Sequence, residues 1–381
     1  MAKLLITGAQ GFVGKNLLWA IEADRIHRQY SKNPEPGHQV LTFTRGQSEA
    51  ELVELVSQVD FVFHLAGVNR PLDDQEFDQV NRGLTAQLIA AAKACPTPPP
   101  IAFASSTQAE RDNLYGLSKR AAEKELEDYH QETGVPVLIY RLPNLFGKWG
   151  KPHYNSAVAT FCHNLTRGLE IEVRDPKHPL SLLYIDDLVA ELLYQVGHHN
   201  RTQVHYYAGP VLETTLGEVA DLLRGFGESR QTLGLPEVNR PLAKKLYSTY
   251  LSYLPPDQLA YPLTQHSDPR GAFCEALRSP SFGQLSFSTT KPGVTRGNHF
   301  HQSKVEKFLV VSGEALVEFR ALEGTEILRY PVSGQQPQVL DIPPGYTHRI
   351  TNTSATQELV TLFWCNESFD PQRPDTFFLE L

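Results

Sequence analysis

Two different hydrophobic patterns follow one another along the chain. Up to about residue 225, short and nearly continuous apolar runs alternate with segments whose apolar residues recur at helical spacing. The apolar runs, which predict buried strands, are KLLIT (3–7), QVLTF (39–43), DFVFHLAG (60–67), IAFASS (101–106) and VPVLIYRLP (135–143). The helical segments are FVGKNLLWAIEADRI (12–26), NRGLTAQLIAAAKAC (81–95), SKRAAEKELEDYHQ (118–131) and TLGEVADLLRGF (215–226). This alternation predicts a Rossmann-like α/β fold with a doubly wound parallel sheet.

The second pattern begins near residue 271, where short strands separated by frequent turns predict an all-β barrel or sandwich. The predicted strands lie in GQLSFSTT (283–290), KFLVVSGEALVEFRA (307–321), TEILRYPV (325–332), QVLDIPPG (338–345), THRITNT (347–353) and LVTLFWCN (359–366). Between the two patterns the chain is rich in tyrosine and proline, which indicates an ordered connector because flexible linkers are rich in glycine, serine or charge. We therefore predict an α/β domain at 1–245, a connector at 246–270 and an all-β domain at 271–381.

Length and composition agree with two hydrophobic cores and restrict the partners. The chain has 381 residues, of which 41% are hydrophobic and 20% charged, as in ordinary globular proteins. Its net charge of −8 argues against nucleic acid or an anionic membrane as the main partner. No apolar run approaches the ~20 residues of a membrane span. The apolar run before the glycine turn at residue 8 is shorter than the apolar core of a signal peptide, so we expect none there. The 4 cysteines form no CxxC pair, so we expect reduced thiols in a cytoplasmic protein.

A glycine-rich turn follows the first predicted strand. The segment TGAQGFVG (7–14) places Gly8, Gly11 and Gly14 between that strand and the first helix. Glycines at this junction permit a tight turn and let the pyrophosphate of a dinucleotide approach the helix N-terminus. We expect Phe12 and Val13, in the same turn, to contact the cofactor as well. The alternative is a glycine-rich turn that binds no ligand.

The end of the second strand bears on the choice between NAD and NADP. The segment LTFTRGQ offers no acidic residue to hold a ribose 2′-hydroxyl. It offers Arg45, whose guanidinium suits a 2′-phosphate, so NADPH is the expected cofactor. A solvated arginine in a loop is the other interpretation.

Tyr115 and Lys119, in YGLSK, lie four residues apart and so share one face of a helix. A tyrosine hydroxyl can protonate a ketone oxygen as hydride reaches the ketone carbon. A nearby ammonium is expected to lower the tyrosine pKa and to hold the cofactor ribose. An orienting hydroxyl is expected from ASST, at the end of the preceding strand. Ser106 is favoured there, with Ser105 and Thr107 as alternatives.

These segments together resemble the extended short-chain dehydrogenases/reductases, a family that acts largely on nucleotide sugars. The matching segments are TGAQGFVG, DFVFHLAG, VNRGLTAQL around Asn81, FASS, YGLSK, RLPNLFG and YIDDLV. The resemblance implies that Asn81 and the residues of HLAG lie beside the cofactor, which adds Leu65, Ala66 and Gly67 to the cofactor-binding set.

The same resemblance implies that the segment after RLPNLFG lines a sugar-nucleotide site. Asn144, Asn155 and Arg70 are therefore candidate substrate contacts. Each of them could equally cap a helix or satisfy a loop.

The all-β half carries four candidate metal ligands in two motifs. In GNHFHQSKVEKFLVVSG (297–313), His299 and His301 are two residues apart and project from the same face of a strand. After a turn, Glu306 begins the next strand and can return to that face. PPGYTHRITN adds His348. Three imidazoles and one carboxylate suit zinc or another borderline divalent metal, one ion per chain. Histidines on an ordinary β-surface are the alternative.

These two motifs resemble the cupin family, with Pro337 where the second motif expects a glycine. DPRGAF (268–273) and TRGNHFH (295–301) are also similar to the sugar-nucleotide 3,5-epimerases of the same barrel class. In that group the histidine after RG is the base, whereas the spacing here favours a ligand role for His299. The base then stays open among three residues: Lys304, Lys307 and Tyr346.

Over almost its whole length the chain resembles the CapF family of bifunctional capsule-assembly proteins. The resemblance is carried by HLAGVNRP, RLPNLFGKWGKPHYNS, KLYSTYLSYLP and the HFH motif. It implies an NADPH-dependent reductase fused to a zinc cupin, in a homodimer joined largely through the cupins. The implied substrate is a UDP-4-keto-6-deoxy-N-acetylhexosamine, epimerised at C3 and then reduced at C4 to a 6-deoxy-L-talosamine-type sugar on the route to UDP-N-acetyl-L-fucosamine.

Two other functions compete with this one. A reductase whose metal cupin is purely a structural dimerisation module is compatible with the sequence, because three histidines and a glutamate saturate a tetrahedral ion. A non-enzymatic NADP-sensing regulator on the same fold is disfavoured, because such a protein is expected to lack the Tyr115–Lys119 pair.

Overall fold

The computed structural model of the protein describes residues 1–29, 37–71, 73–198, 205–206, 210–279, 281–372 and 374–381. The chain forms two compact units. The α/β unit comprises Met1–Leu223 and Lys245–Leu254, and the all-β unit comprises Arg224–Lys244 and Pro255–Leu381. The predicted domain limits at residues 245 and 270 stay predictions.

The strands of the α/β unit form one large and one small sheet. They are β1 (Lys3–Thr7), β2 (Gln39–Phe43), β3 (Phe61–His64), β4 (Ile101–Ser106), β5 (Val137–Leu142), β6 (Asn144–Phe146), β7 (Pro179–Tyr184), β8 (His205–Tyr206) and β9 (Leu212–Thr215). The large sheet has the order β2-β1-β3-β4-β5-β8, and its pairs are all parallel. The small sheet has the order β6-β7-β9.

Helices cover both faces of the large sheet, which explains why its strands are apolar along their whole length. The eight helices of the described chain are α1 (Phe12–Gln29), α2 (Glu49–Ser57), α3 (Leu84–Lys93), α4 (Leu114–Thr133), α5 (Ala157–Leu165), α6 (Ile185–Gln195), α7 (Leu216–Thr232) and α8 (Pro241–Leu251). The described residues also form a short π-helix at Phe77–Gly83 and 3₁₀ turns at Thr107–Glu110 and Pro256–Gln258.

Alternate residues of each strand enter two separate cores. Leu5, Val62 and Phe103 pack in a cluster with α2, α3 and α4. Leu4 and Phe63 face the opposite way, into a cluster with α1 and α6. Each such fully buried side chain contributes about 1.5–3 kcal/mol to folding. The carboxyl ends of β1, β2 and β3 coincide in register, so the loops that follow them meet at one edge of the sheet.

Eleven antiparallel strands build the all-β unit within the described residues. They are β10 (Gln265–Asp268), β11 (Gly271–Ser279), β12 (Gly283–Thr290), β13 (Thr295–Phe300), β14 (Glu306–Ser312), β15 (Glu314–Ala321), β16 (Ile327–Ser333), β17 (Val339–Ile342), β18 (Tyr346–Asn352), β19 (Leu359–Cys365) and β20 (Phe377–Phe378). One sheet has the order β10-β11-β12-β19-β14-β17 and the other β16-β15-β18-β13-β20.

The two sheets of this unit share one hydrophobic core. Phe308 and Val310 of β14 pack in it with Val317 and Phe319 of β15 and Ile350 of β18. The predicted fold class, a parallel α/β sheet followed by an all-β unit, is confirmed. Among the described residues, no helix is both long enough and apolar enough to cross a bilayer.

Candidate active site and metal centre

A cleft of about 1130 Å³ opens in the α/β unit at the carboxyl ends of its parallel strands. The glycine turn after β1 forms one wall. Gly8 has a φ of 72°, and a Cβ there would lie 2.6 Å from the backbone nitrogen of Ala66. A Cβ on Gly14 would lie 2.4 Å from the carbonyl oxygen of Gly8. The tight turn therefore requires both glycines, and it leaves the N-terminus of α1 facing the cleft, as a pyrophosphate would require.

Tyr115 and Ser106 both line this cleft. Tyr115 lies in the first turn of α4, where the side chain of Asn113 accepts a hydrogen bond from the Gly116 N–H. A Cβ on Gly116 would lie 2.2 Å from the carbonyl oxygen of Gln108, so a glycine is needed for the helix to start this close to the turn after β4. The close approach brings Tyr115 near Ser106, whose hydroxyl accepts a hydrogen bond from the Gln108 N–H and lowers the pKa of the tyrosine. The predicted tyrosine and its favoured serine thus line the same cleft.

Lys119 lies one turn further along α4 and is almost completely buried. Its Nζ donates to the carbonyl oxygen of Ala104 at 2.8 Å and lies 4.7 Å from the centre of the Phe103 ring. Burial lowers the pKa of Lys119 to about 8, while Glu123 acts in the opposite direction. The ammonium is therefore oriented by β4 and titrates close to physiological pH.

The pKa of Tyr115 is shifted in the direction opposite to the one expected. Burial raises it, the hydrogen bond with Ser106 lowers it to a smaller extent, and neighbouring Tyr154 adds a further increase. Lys119 is not among the groups that set the shift. Tyr115 therefore stays protonated at neutral pH, which suits a proton donor.

Ser105 is oriented away from this pair. Its hydroxyl donates to the carboxylate of Glu123, which is itself buried on α4. Arg141 of β5 donates to both oxygens of the same carboxylate, with its Nη2 2.7 Å from Oε2. Glu123 follows Lys119 by one helical turn, so Tyr115, Lys119 and Glu123 form one stripe. The sequence analysis missed Glu123, although the spacing of four residues is visible in the sequence.

A buried histidine connects the first strand to the helical layer. His64 Nδ1 is 2.8 Å from the Thr7 hydroxyl, and its Nε2 is 2.9 Å from the Thr85 hydroxyl. The Thr7 hydroxyl also accepts from the Ala66 N–H at 3.2 Å. Burial, with a smaller effect of Lys119, lowers the pKa of His64 to about 3, so the ring is neutral. His64 therefore fixes the backbone that the glycine turn packs against.

Asn81 orders the segment that follows β3. It is buried in the π-helix, its Oδ1 accepts from the Val68 N–H at 2.8 Å, and its Nδ2 donates to the Val68 carbonyl oxygen at 3.0 Å. Its Nδ2 also reaches the Ser118 hydroxyl. Asn81 thus ties the HLAG segment to α4, and its direct contact with a cofactor stays a prediction.

Most of the remaining predicted residues line the cleft, and a few do not. Gly8, Gly11, Phe12, Val13, Gly14, Leu65, Gly67, Asn144 and Asn155 line it. Arg45 lies exposed in the turn after β2, and Arg70 is exposed beyond β3. Neither arginine is part of the cleft wall formed by the described residues, and neither is Ala66. Trp149, Lys151 and Tyr154 also line the cleft and were not singled out from the sequence, although they lie in RLPNLFGKWGKPHYNS.

The four predicted metal ligands converge inside the all-β unit. His299 faces His348 across β13 and β18, after a bulge at which Asn298 takes a φ of 58°. One donor atom from each of the four residues lies within 4.8 Å of the others. Glu306 Oε2 is 3.2 Å from His301 Nε2 and 3.4 Å from His348 Nε2.

The chemistry of this cluster fits a metal ion. A tetrahedral ion with bonds of about 2.0–2.1 Å separates its ligand atoms by about 3.3 Å. Three buried atoms, His301 Nε2, Glu306 Oε2 and His348 Nε2, have no hydrogen-bond partner in the described structure. Burial lowers the pKa of His299 to about 4, so its imidazole is neutral and able to ligate. Burial raises the pKa of Glu306, but the adjacent imidazoles outweigh it and keep the carboxylate charged.

Comparisons with known proteins find relatives of both halves of the chain. Residues 4–209 match the NAD dependent epimerase/dehydratase family, and residues 266–377 match the polysaccharide biosynthesis C-terminal domain. The chain is 44% identical over 375 residues, 98% of either chain, to UDP-2-acetamido-2,6-beta-L-arabino-hexul-4-ose reductase of Pseudomonas aeruginosa.

Solved structures extend the match to the fold of the whole chain. The crystal structure of the capsular polysaccharide assembling protein CapF from Staphylococcus aureus has a TM-score of 0.89 and 44% identity, over 99% of this chain and 100% of that one. This chain belongs to the CapF family. A second CapF structure, with the inhibitor 3-isopropenyl-tropolone, has a TM-score of 0.83 and 40% identity over 100% of both chains.

In this CapF-family chain the three candidate bases of the all-β unit are placed differently. Lys304 is buried, and its Nζ donates to the Pro374 carbonyl oxygen at 3.0 Å. Lys307 is exposed and forms an ion pair with Asp341. Tyr346 lies two residues from His348 on the same strand, so its side chain is on the face that carries the metal ligands.

Proposed function

We propose that the protein is a bifunctional UDP-sugar enzyme. Its all-β unit, a zinc cupin, epimerises C3 of a UDP-4-keto-6-deoxy-N-acetylhexosamine, and its α/β unit reduces the C4 ketone with NADPH. The observation that carries the proposal is the grouping of Ser106, Tyr115 and Lys119 in one cleft walled by the glycine turn. The whole-length similarity to a named 4-keto-sugar reductase supports the substrate class.

The reductase residues have separable roles in this proposal. NADPH, held by the glycine turn, Lys119 and Arg45, supplies the hydride for C4. Tyr115 donates its proton to the ketone oxygen, for which its raised pKa keeps it protonated. Ser106 orients the Tyr115 hydroxyl and the ketone. Asn144 and Asn155, which also line the cleft, contact the sugar nucleotide.

Epimerisation must precede reduction. Removal of the C3 proton needs the acidity that the C4 ketone provides, because the negative charge spreads into an enolate. Reduction removes that ketone and ends the possibility of inversion at C3. A chain that carries both activities can therefore reduce the epimerised ketone before it reverts.

A divalent metal held by His299, His301, Glu306 and His348 would polarise the ketone oxygen in the all-β unit. The inhibitor of the second CapF structure supports a metal in this family, since the adjacent carbonyl and hydroxyl oxygens of a tropolone chelate divalent ions. The strand pattern favours Tyr346 among the three candidate bases, because Lys304 is bound to a carbonyl oxygen and Lys307 to Asp341.

The second candidate function is a reductase whose metal-binding unit is a structural module of a homodimer. It rests on the same cluster, since four protein ligands can fill a tetrahedral site. Exchange of the C3 hydrogen with solvent separates the two, because a structural module gives none.

The reductase assignment is tested with the 4-keto sugar nucleotide, NADPH and product analysis by nuclear magnetic resonance. Tyr115→Phe should lower reduction by roughly 10²–10⁴-fold while NADPH still binds, since the proton donor alone is lost. Tyr129→Phe, on the same helix but outside the cleft wall, is the matched control. Turnover of Tyr115→Phe within a few-fold of the wild type would refute the assignment.

A further inference from the structure

The C-terminal tail lies against β13, the strand that carries His299 and ends just before His301. β20 pairs with β13, with Phe378 opposite His299. Beyond this pair, the Leu379 N–H donates to the Asn298 carbonyl oxygen at 2.9 Å. The tail is therefore an edge strand of the sheet that carries His299 and His348.

Asp375, just before this edge strand, holds the loop that follows His301. Its Oδ1 accepts from the Gln302 N–H at 2.8 Å. Its Oδ2 accepts from the Ser303 N–H and hydroxyl, both at 2.9 Å, and from the Lys304 N–H at 2.8 Å. One carboxylate thus satisfies three consecutive backbone amides across more than seventy residues of sequence.

The backbone of Asp375 contacts the ligand itself. Its carbonyl oxygen is 2.6 Å from His301 Nδ1. A carbonyl oxygen can accept a hydrogen bond but cannot donate one, so His301 Nδ1 must carry the proton. The lone pair of His301 Nε2 is then free, and this buried atom lies 3.2 Å from Glu306 Oε2.

Asp375 itself adopts an unusual backbone conformation. Its φ of 39° lies in the left-handed region, which aspartate tolerates better than most residues. The two oxygens of its side chain together accept from the backbone amides of Gln302, Ser303 and Lys304.

We propose that Asp375 is a positioning residue of the metal centre, which fixes the tautomer and orientation of His301. The role rests on the proposed metal site and assigns a function to the tail that the histidine motifs do not reveal. Carbonyl and carboxylate partners of ligating histidines typically change metal affinity by about 10–100-fold.

The test measures metal affinity in the full-length chain. The protein is stripped of metal, and its affinity for Zn²⁺ is measured by competition with a colorimetric chelator. Asp375→Ala should bind Zn²⁺ about 10–100-fold more weakly. Asp375→Asn keeps one acceptor oxygen and should lose less. Asp370→Ala is the matched control, because this exposed residue accepts a hydrogen bond from the Gln372 N–H in the same tail and should leave the affinity unchanged.

A second readout separates positioning of the metal from general support of the fold. The visible absorption of bound Co²⁺ reports ligand geometry and should change in Asp375→Asn but not in Asp370→Ala. Circular dichroism shows whether each variant folds. If Asp375→Ala does not fold, the comparison of Asp375→Asn with the control decides whether Asp375 has this role. Zn²⁺ affinities and Co²⁺ spectra of both Asp375 variants equal to those of the control would overturn the role of Asp375. A wild-type chain without tight metal binding would instead overturn the proposed metal site, and the role with it.

Discussion

The Ser105 hydroxyl donates a hydrogen bond to the Glu123 carboxylate, and this contact decides which of two adjacent serines can serve Tyr115. Since Ser105 is engaged by Glu123, Ser106 is the serine whose side chain affects the pKa of the tyrosine. Ser106→Ala should therefore lower the rate of ketone reduction by roughly 10²–10³-fold, as expected for loss of a group that orients the reacting oxygen. Steady-state kinetics with the 4-keto sugar nucleotide measure the effect.

Ser105→Ala provides the contrast. Arg141 still holds Glu123, so this variant should keep its turnover within a few-fold and lose about 1 kcal/mol of the free energy of unfolding. If Ser105→Ala lost activity and Ser106→Ala kept it, the two roles would have to be exchanged.

The pH dependence of reduction should be set by Lys119. Its pKa of about 8 lies below the ordinary value of 10.5, so the ammonium loses its proton as the pH rises through 8. Affinity for NADPH and kcat/KM should fall above that pH, because the charge that holds the cofactor is lost. Tyr115, whose pKa is raised, does not account for this limb.

The contribution of Lys119 to the free energy of unfolding should rise over the pH range in which the affinity for NADPH falls. Below pH 8 the folded chain carries a buried ammonium at a cost, and between 8 and 10.5 the unfolded chain binds the extra proton. The Lys119 contribution therefore becomes less destabilising as the pH rises through this range.

Lys119→Arg tests the kinetic prediction, because an arginine stays charged. This variant should no longer show the fall in kcat/KM above pH 8. An unchanged fall would assign it to another titrating group.

Arg45 should distinguish between the two nicotinamide cofactors. Arg45→Ala should weaken binding of NADPH by roughly 10–100-fold and leave binding of NADH nearly unchanged, because the 2′-phosphate is the group it is proposed to contact. Arg174→Ala, which removes an equally exposed arginine outside the cleft wall, is the control for net charge. Equal losses for the two cofactors in Arg45→Ala would exclude the assigned contact.

Metal analysis should find about one divalent ion per chain, most of it zinc. His299→Ala and His348→Ala should each lose the ion and destabilise the all-β unit, because binding of the metal is coupled to folding of its site. His266→Ala, at an exposed position of β10, should keep it. Full metal content in a chain with both His299 and His348 replaced would show that the ligands are wrong.

Local patterns predicted the elements, and contacts between distant segments explain what was missed. KLLIT, QVLTF and IAFASS coincide with β1, β2 and β4, because strands covered on both faces are apolar throughout. The helix predicted from residue 81 is α-helical only from Leu84, because its first residues belong to the π-helix Phe77–Gly83. β20 was not predicted, since two exposed phenylalanines become a strand only through pairing with β13.

The site residues, too, could be predicted where a local motif carries them and could not where they depend on contacts between distant segments. The metal ligands could be identified because two short local motifs carry them: the first holds His299, His301 and Glu306, and the second holds His348. The raised pKa of Tyr115 could not be predicted, because it depends mainly on how far the folded chain buries the hydroxyl. Asp375 could not be found either, since its contacts join the tail to a loop about seventy residues earlier.

The most direct test of two activities in one chain follows isotope into the sugar. In heavy water without NADPH, full-length Tyr115→Phe should place deuterium at C3 of the 4-keto sugar nucleotide, because proton removal there is followed by reprotonation from solvent. His348→Ala should not exchange C3 above the rate without enzyme. In ordinary water with deuteride-labelled NADPH, the wild type should place deuterium at C4. A folded, metal-loaded Tyr115→Phe chain that exchanges no hydrogen at C3 would contradict the account and leave a reductase with a structural metal site.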